Sequence, residues 1–178
     1  MDVREIENHI KTVADFPKSG ISFKDITPLL EDGPALRAAV DSLAAATATI
    51  EYDRIVSAEA RGFVFGTALA YCSRKGLILA RKPNKLPRDT ISASYELEYG
   101  FETLEAHADS IKPGARVLVA DDLLATGGTA RAMCDLVENA GGVVAGVAFL
   151  IELSYLKGRE RLIPYNVVSL ISYDNPED

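Results

Sequence analysis

Residues 117–129, Val-Leu-Val-Ala-Asp-Asp-Leu-Leu-Ala-Thr-Gly-Gly-Thr, restrict the possible folds more than any other part of the chain. The first four form a continuous apolar run, the pattern of a strand buried on both faces in a parallel sheet. Asp121 and Asp122 follow at once, and in open α/β sheets ligands bind beyond the carboxyl ends of the strands. Ala125, Thr126, Gly127, Gly128 and Thr129 then supply two hydroxyls and backbone N–H groups, unhindered at the glycines, where a helical segment begins. Such an arrangement cradles a phosphate. Carboxylates repel phosphate, so the acidic pair must face something else, either sugar hydroxyls or a hydrated Mg²⁺. Neither Gly-x-Gly-x-x-Gly nor the Walker pattern occurs, which leaves the main rival phosphate loops without support.

The surrounding periodicity fits that strand into a larger order. Residues 54–58 read as a short buried strand, residues 63–75 as a helix ending at Gly76, and residues 77–80 as another apolar run. The same order recurs from residues 117–120 through a helix over 129–139, a stop at Gly141-Gly142 and a β-rich segment over 143–151. Two strand–helix–strand units predict an α/β fold: a mainly parallel twisted sheet with helices on both faces. Upstream, Val3, Ile6, Ile10 and Val13 fall at helical spacing and predict an amphipathic helix over residues 2–14, stopped near Phe16-Pro17. A second helix is expected over 34–48, with Pro34 in its first turn. Residues 82–91 lack periodicity and read as a mobile loop. Residues 92–99 alternate, with Tyr95, Leu97 and Tyr99 on one face and Ser94, Glu96 and Glu98 on the other. Gly100 then permits a turn into residues 101–106, giving a two-stranded flap. No linker divides the chain, so one domain is expected over 1–178.

Composition sets the remaining bounds. With 178 residues, 48% of them hydrophobic, the chain can close a core without disulfides. No apolar run approaches a membrane span, and the first residues do not read as an export signal. Cys72 and Cys134 sit in predicted helices away from ligand partners, so both are expected to be buried thiols in a reducing, cytoplasmic compartment. A formal net charge of −7 argues against nucleic acid as a partner. Arg81, Lys82 and Lys85 nevertheless concentrate three cations in one loop, suited to a polyanionic ligand.

Residues 117–129 resemble the signature of the type I phosphoribosyltransferases for phosphoribosyl pyrophosphate (PRPP). The resemblance implies that Ala125, Thr126, Gly127, Gly128 and Thr129 hold the ribose 5-phosphate and that Asp121 and Asp122 meet the 2′ and 3′ hydroxyls. Mg²⁺ would be carried mainly by PRPP, with a water bridge to Asp121. Residues 16–30 are similar to the N-terminal hood of the adenine phosphoribosyltransferases, so residues 1–33 would form a helix and hood. Phe23 would then stack on adenine, Ser22 and Lys24 would contribute mainly backbone groups, and Leu123 would line the same pocket. Residues 59–63 resemble the family's pyrophosphate loop and assign Arg61 to pyrophosphate, with Ala60 where Ser is frequent. Arg81, Lys82 and Lys85 match a segment that supplies further cations at a homodimer boundary, with Asn84 where Gly is common. Residues 82–106 correspond to the flexible loop and flap. There Glu98 would handle the purine proton, with Glu96 as the substitute, and Tyr99 follows it in the flap. The segment 154–160 also resembles the family and is expected to be structural. Neither His9 nor His107 has a partner motif.

These resemblances imply transfer of the phosphoribosyl group from PRPP to N9 of adenine, giving AMP and pyrophosphate in purine salvage. The alternatives are transfer to hypoxanthine, guanine or xanthine, and a non-catalytic PRPP-sensing regulator. The hood sequence disfavours the first; the absence of a basic face or DNA-binding module disfavours the second.

Overall fold

The computed structural model describes residues 1–96 and 100–177. The chain opens with α1 (Val3–Glu7), closed by a reciprocal cap in which Asp2 accepts from the Glu5 N–H and Glu5 accepts from that of Asp2. The predicted helix over 2–14 stops early, at Asn8. Ile6 is fully buried, whereas Val3 and Val13 are each 39% exposed. Lys11–Ala14 instead forms β1, antiparallel to β2 (Ser22–Asp25), with Thr12 opposite Lys24 and Val13 opposite Phe23. Backbone pairing with a distant strand won over a helical spacing that four residues met by coincidence.

Next come α2 (Thr27–Glu31) and α3 (Gly33–Thr47), the latter started by Asp32, which accepts from the Ala35 N–H at 2.8 Å. The central sheet then assembles from β3 (Arg54–Ala58), β4 (Gly76–Ala80), β7 (Arg116–Leu124), β8 (Val143–Leu153) and β9 (Val167–Tyr173). Its spatial order is β4-β3-β7-β8-β9, and every neighbouring pair is parallel. Along β7 the side chains alternate between two cores: Val117 and Val119 join the layer containing α5 (Gly128–Asn139), and Leu118 and Ala120 join the layer containing α3 and α4 (Gly62–Ser73). Helices therefore cover both faces, as the two repeated units predicted.

Three local expectations are corrected. Helix α4 ends at Arg74, which takes the left-handed conformation (φ 57°), while Gly76 already begins β4. Cys134 is buried, its thiol pushed up to about 12 by desolvation, but Cys72 is exposed on α4. Strand β7 runs on to Leu124 and so contains the acidic pair, because β8 continues beside it with Leu123 opposite Ile151 and Leu124 opposite Glu152. Its pairing with β3 ends at Val119, and beyond it Gly62 at the start of α4 sits against Asp121.

The flap is present as β5 (Thr90–Glu96) paired antiparallel with β6 (Phe101–His107), both packed against α5. Leu97, Glu98 and Tyr99 lie outside the described residues. No helix among the described residues is long and apolar enough to cross a membrane.

Candidate active site

A cleft of about 290 Å³ opens where β3 and β7 end, lined by residues 59–62 and 121–130. All seven residues read from sequence as a ribose-phosphate site, Asp121, Asp122 and Ala125 through Thr129, meet there. Gly127, with φ 84°, turns the chain into α5. The first N–H groups of that helix lack intrahelical acceptors and carry the positive end of its dipole, so the loop favours an anion.

Charge is unevenly distributed around the cleft. Asp121 is 7% exposed, and burial, reinforced by Asp122 beside it, raises its carboxyl well above the ordinary value of 3.8. Its Oδ1 accepts from the Asp122 N–H at 2.9 Å. Asp122 faces Arg61, with Nε 2.8 Å from Oδ2. That contact is electrostatic rather than a directed hydrogen bond: buried Asp122 Oδ2 and Arg61 Nη1 have no hydrogen-bond partner among the described residues. Both retain capacity for a ligand.

The cation loop is held by acidic neighbours in the free protein. Arg81 gives Glu59 two hydrogen bonds, from Nε at 3.0 Å and Nη2 at 2.8 Å, and the Lys82 N–H donates to the same carboxylate at 2.7 Å. Burial opposes ionisation of Glu59, but the Lys82 N–H and the Arg81 guanidinium outweigh it and hold the carboxyl below its ordinary value. Lys82 Nζ donates to Glu102 at 3.2 Å, and the Lys85 carbonyl accepts from Arg81 Nη1 at 3.2 Å. Arg61 alone of the four predicted pyrophosphate cations lines the cleft among the described residues. Asn84 takes the left-handed backbone (φ 64°), so the turn usual for Gly is kept.

A second pocket of about 320 Å³ adjoins the first and shares Arg61, Leu123 and Ala125 with it. Ser22, Phe23 and Lys24 of β2 form one wall. Phe23 meets Phe16 edge-on with centroids 5.1 Å apart and has the Arg61 guanidinium 4.9 Å from its ring. The Lys24 side chain is turned into the hood, where Nζ donates to Thr12 Oγ1 at 2.9 Å and lies 4.1 Å from the Tyr173 ring centroid. Ser22 Oγ donates to the Pro176 carbonyl at 2.6 Å, fixing the C-terminal segment over the hood.

Sequence reasoning missed the far wall of this pocket, Leu153, Tyr155, Leu156 and Pro176. The signal was the similarity of residues 154–160, which had suggested only a structural role. It also missed Tyr95, which reaches from the flap to Thr129. Glu98 and Tyr99 fall outside the described residues, and Glu96 is exposed.

The phosphoribosyl transferase domain family matches residues 29–177. An adenine phosphoribosyltransferase of Rubrobacter xylanophilus is 68% identical over 98% of this chain and 95% of its own length. Among solved structures, the adenine phosphoribosyltransferase of Thermoanaerobacter pseudethanolicus superposes with a TM-score of 0.94 at 48% identity, covering 96% of this chain and 99% of that one. The enzyme from Saccharomyces cerevisiae, complexed with an imino-altritol bisphosphate and adenine, gives 0.88 at 34% identity, covering 94% and 97%. The chain belongs to the phosphoribosyltransferase family and, within it, to the adenine phosphoribosyltransferases.

Proposed function

We propose that the protein transfers the 5-phosphoribosyl group of PRPP to N9 of adenine, forming AMP and releasing pyrophosphate. The observation that carries this reading is the junction of the two pockets: a polar cleft with a phosphate loop and an acidic pair opens into a less polar pocket walled by Phe23 and Leu123. A base in the second and a ribose in the first would meet beside Arg61.

Ala125 through Thr129 grip the 5-phosphate with backbone N–H groups and hydroxyls, while Asp121 and Asp122 face the ribose hydroxyls. Phe23 supplies a surface for the base, and backbone groups at Ser22 and Lys24 sort an amino-purine from an oxo-purine by donor and acceptor order. As N9 attacks the anomeric carbon its proton must leave, and Glu98 is the carboxylate assigned to receive it. Arg61 opposes charge growing on the departing pyrophosphate, joined by Arg81, Lys82 and Lys85 when the loop reorganises around substrate. Closure of residues 82–106, including Tyr99, excludes water from the oxocarbenium-like centre.

The residues also fit Mg²⁺ delivered with PRPP. No group of three or more His, Cys, Asp or Glu among the described residues makes a metal cage, whereas Asp121 and Asp122, whose Oδ2 is ion-paired with Arg61 but accepts no hydrogen bond, offer oxygens beside the cleft. Such a site suits an ion that keeps its waters and substrate oxygens, with Asp121 holding it through water. When bound, the ion neutralises pyrophosphate charge. The same reading places the protein in purine salvage, as a one-domain cytoplasmic homodimer with its cation loop at the subunit boundary.

Pyrophosphate release from PRPP and Mg²⁺, measured with adenine, hypoxanthine, guanine, xanthine and uracil in turn, tests the proposal. Release with adenine supports it. Preference for an oxo-purine overturns the base assignment, and PRPP binding without release for any base turns the reading to a sensor.

A further inference from the structure

The proposed phosphate loop is built from small residues, with the Tyr95 ring against Gly128 on the flap side. A second support comes from behind. A side chain at Gly158 would collide with the Ala125 carbonyl oxygen, and its Cβ would stand 2.9 Å from the Gly127 nitrogen. Reciprocally, a Cβ at Gly127 would lie 2.5 Å from the Gly158 carbonyl oxygen. The two backbones thus lie directly against each other, and displacement of one moves the N–H groups of the other.

The position of Gly158 is in turn fixed by its neighbour. Arg159 Nε donates to Glu152 Oε1 at 2.9 Å, and Nη2 donates to Glu152 Oε2 and, at 3.2 Å, to Ser169 Oγ. Its Nη1 donates to the Val167 carbonyl at 2.8 Å. Ser169 Oγ completes the cluster by donating to Glu152 Oε2 at 2.6 Å. Glu152 is 6% exposed and sits on β8 opposite Leu124, the residue just before the loop, while Val167 and Ser169 belong to β9. The forked contact therefore ties the turn at Gly158 to two strands of the rigid sheet, on the same level as the loop it supports. Arg159 itself holds the Glu152 carboxyl below its ordinary value despite burial, so the pair is ionised and oriented.

We propose that Gly158, Arg159 and Glu152 form a brace that sets the geometry of the phosphate loop, acting as positioning residues for PRPP; this rests on Ala125 through Thr129 being the 5-phosphate cradle. They serve binding without touching substrate. Because the N–H groups must converge on one anion, a small shift in the loop costs affinity.

Steady-state kinetics, with direct titration of each variant by Mg-PRPP in the absence of adenine, test the brace. Gly158→Ala is expected to raise the PRPP KM and Kd about tenfold and the adenine KM several-fold less. Arg159→Lys keeps the charge but loses the fork, and is expected to raise the PRPP constants about threefold with native circular dichroism. It decides the question should the alanine variant fail to fold. Unchanged PRPP constants in a folded variant, or equal rises for PRPP and adenine, overturn the brace. Thr126→Ala, measured alongside, separates this from the reading beneath it. Unaltered PRPP binding there removes the cradle itself; weakened binding there with an unaffected Gly158→Ala removes only the brace.

Discussion

Thr129 Oγ1 donates to the Tyr95 phenolic oxygen at 3.1 Å, joining the start of α5 to the flap. Tyr95 donates onward to Glu102 at 2.6 Å, and Glu102 accepts from Lys82 Nζ at 3.2 Å. The ring lies close against Gly128, where a Cβ would stand 2.7 Å from its edge. One hydrogen-bonded chain thus connects the proposed cradle of the 5-phosphate with the loop assigned to pyrophosphate.

Tyr95→Phe keeps the ring against Gly128 and removes the chain. It is expected to lower unfolding stability by about 1 kcal/mol in urea titration. Burial first, then the Glu102 contact, pushes the phenol from 10.0 up to about 12. With its folded pKa raised, Tyr95 contributes stability below pH 10.0 and loses it towards about pH 12, as the unfolded phenol ionises first. The phenylalanine variant should lose less stability over that alkaline window; an identical pH profile would show that Tyr95 does not titrate as described.

Asp121→Asn should stabilise the free protein while weakening PRPP. Burial and Asp122 raise the carboxyl far above 3.8, so the charged form is a cost in the folded state near neutral pH and no cost below 3.8. Melting temperatures should accordingly favour the asparagine variant most near neutrality, with the gap closing in acid. A variant that melts lower than the parent at neutral pH refutes the assignment.

Asp122→Asn leaves Arg61 without its carboxylate at 2.8 Å and removes the proposed ribose contact. The PRPP KM is expected to rise about tenfold, with a smaller change for adenine. Unchanged PRPP kinetics would remove Asp122 from the site.

Glu98→Gln is expected to reduce kcat about a hundredfold while both KM values stay within a few-fold. Turnover equal to the parent enzyme would transfer the proton-handling role elsewhere, with Glu96→Gln the next variant to assay.

How far the sequence could be read depended on whether the signal was local. Arg54–Ala58 is a strand as expected, and α5 began within one residue of its predicted start, because an apolar run and a glycine turn state their own conformation. The glycine turn into α5 was legible for the same reason, whereas the extension of β7 through the acidic pair depended on β8 beside it. Lys11–Ala14 was misread because its partner, β2, lies beyond a loop that periodicity does not see. The outward face of Cys72 and the pairing of Arg81 with Glu59 depend on tertiary position, which residue type leaves open. Tyr95 carried a weak signal, as one of the aromatic positions of an alternating strand, but nothing local indicated that it would meet Thr129. Glu152 carried none, and Gly158 only the family similarity of residues 154–160: their placement arises where β8 and the following turn pass behind the loop.

Arg61, Leu123 and Ala125 form a party wall between the two pockets proposed as compartments for sugar phosphate and base. A change made there to admit a different base also alters the room next door, so base preference and PRPP affinity are not independent traits at those positions. Variants with a new nucleobase repertoire and intact sugar-phosphate recognition should therefore arise at the outer wall, around Tyr155 and Leu156, where only one compartment is touched.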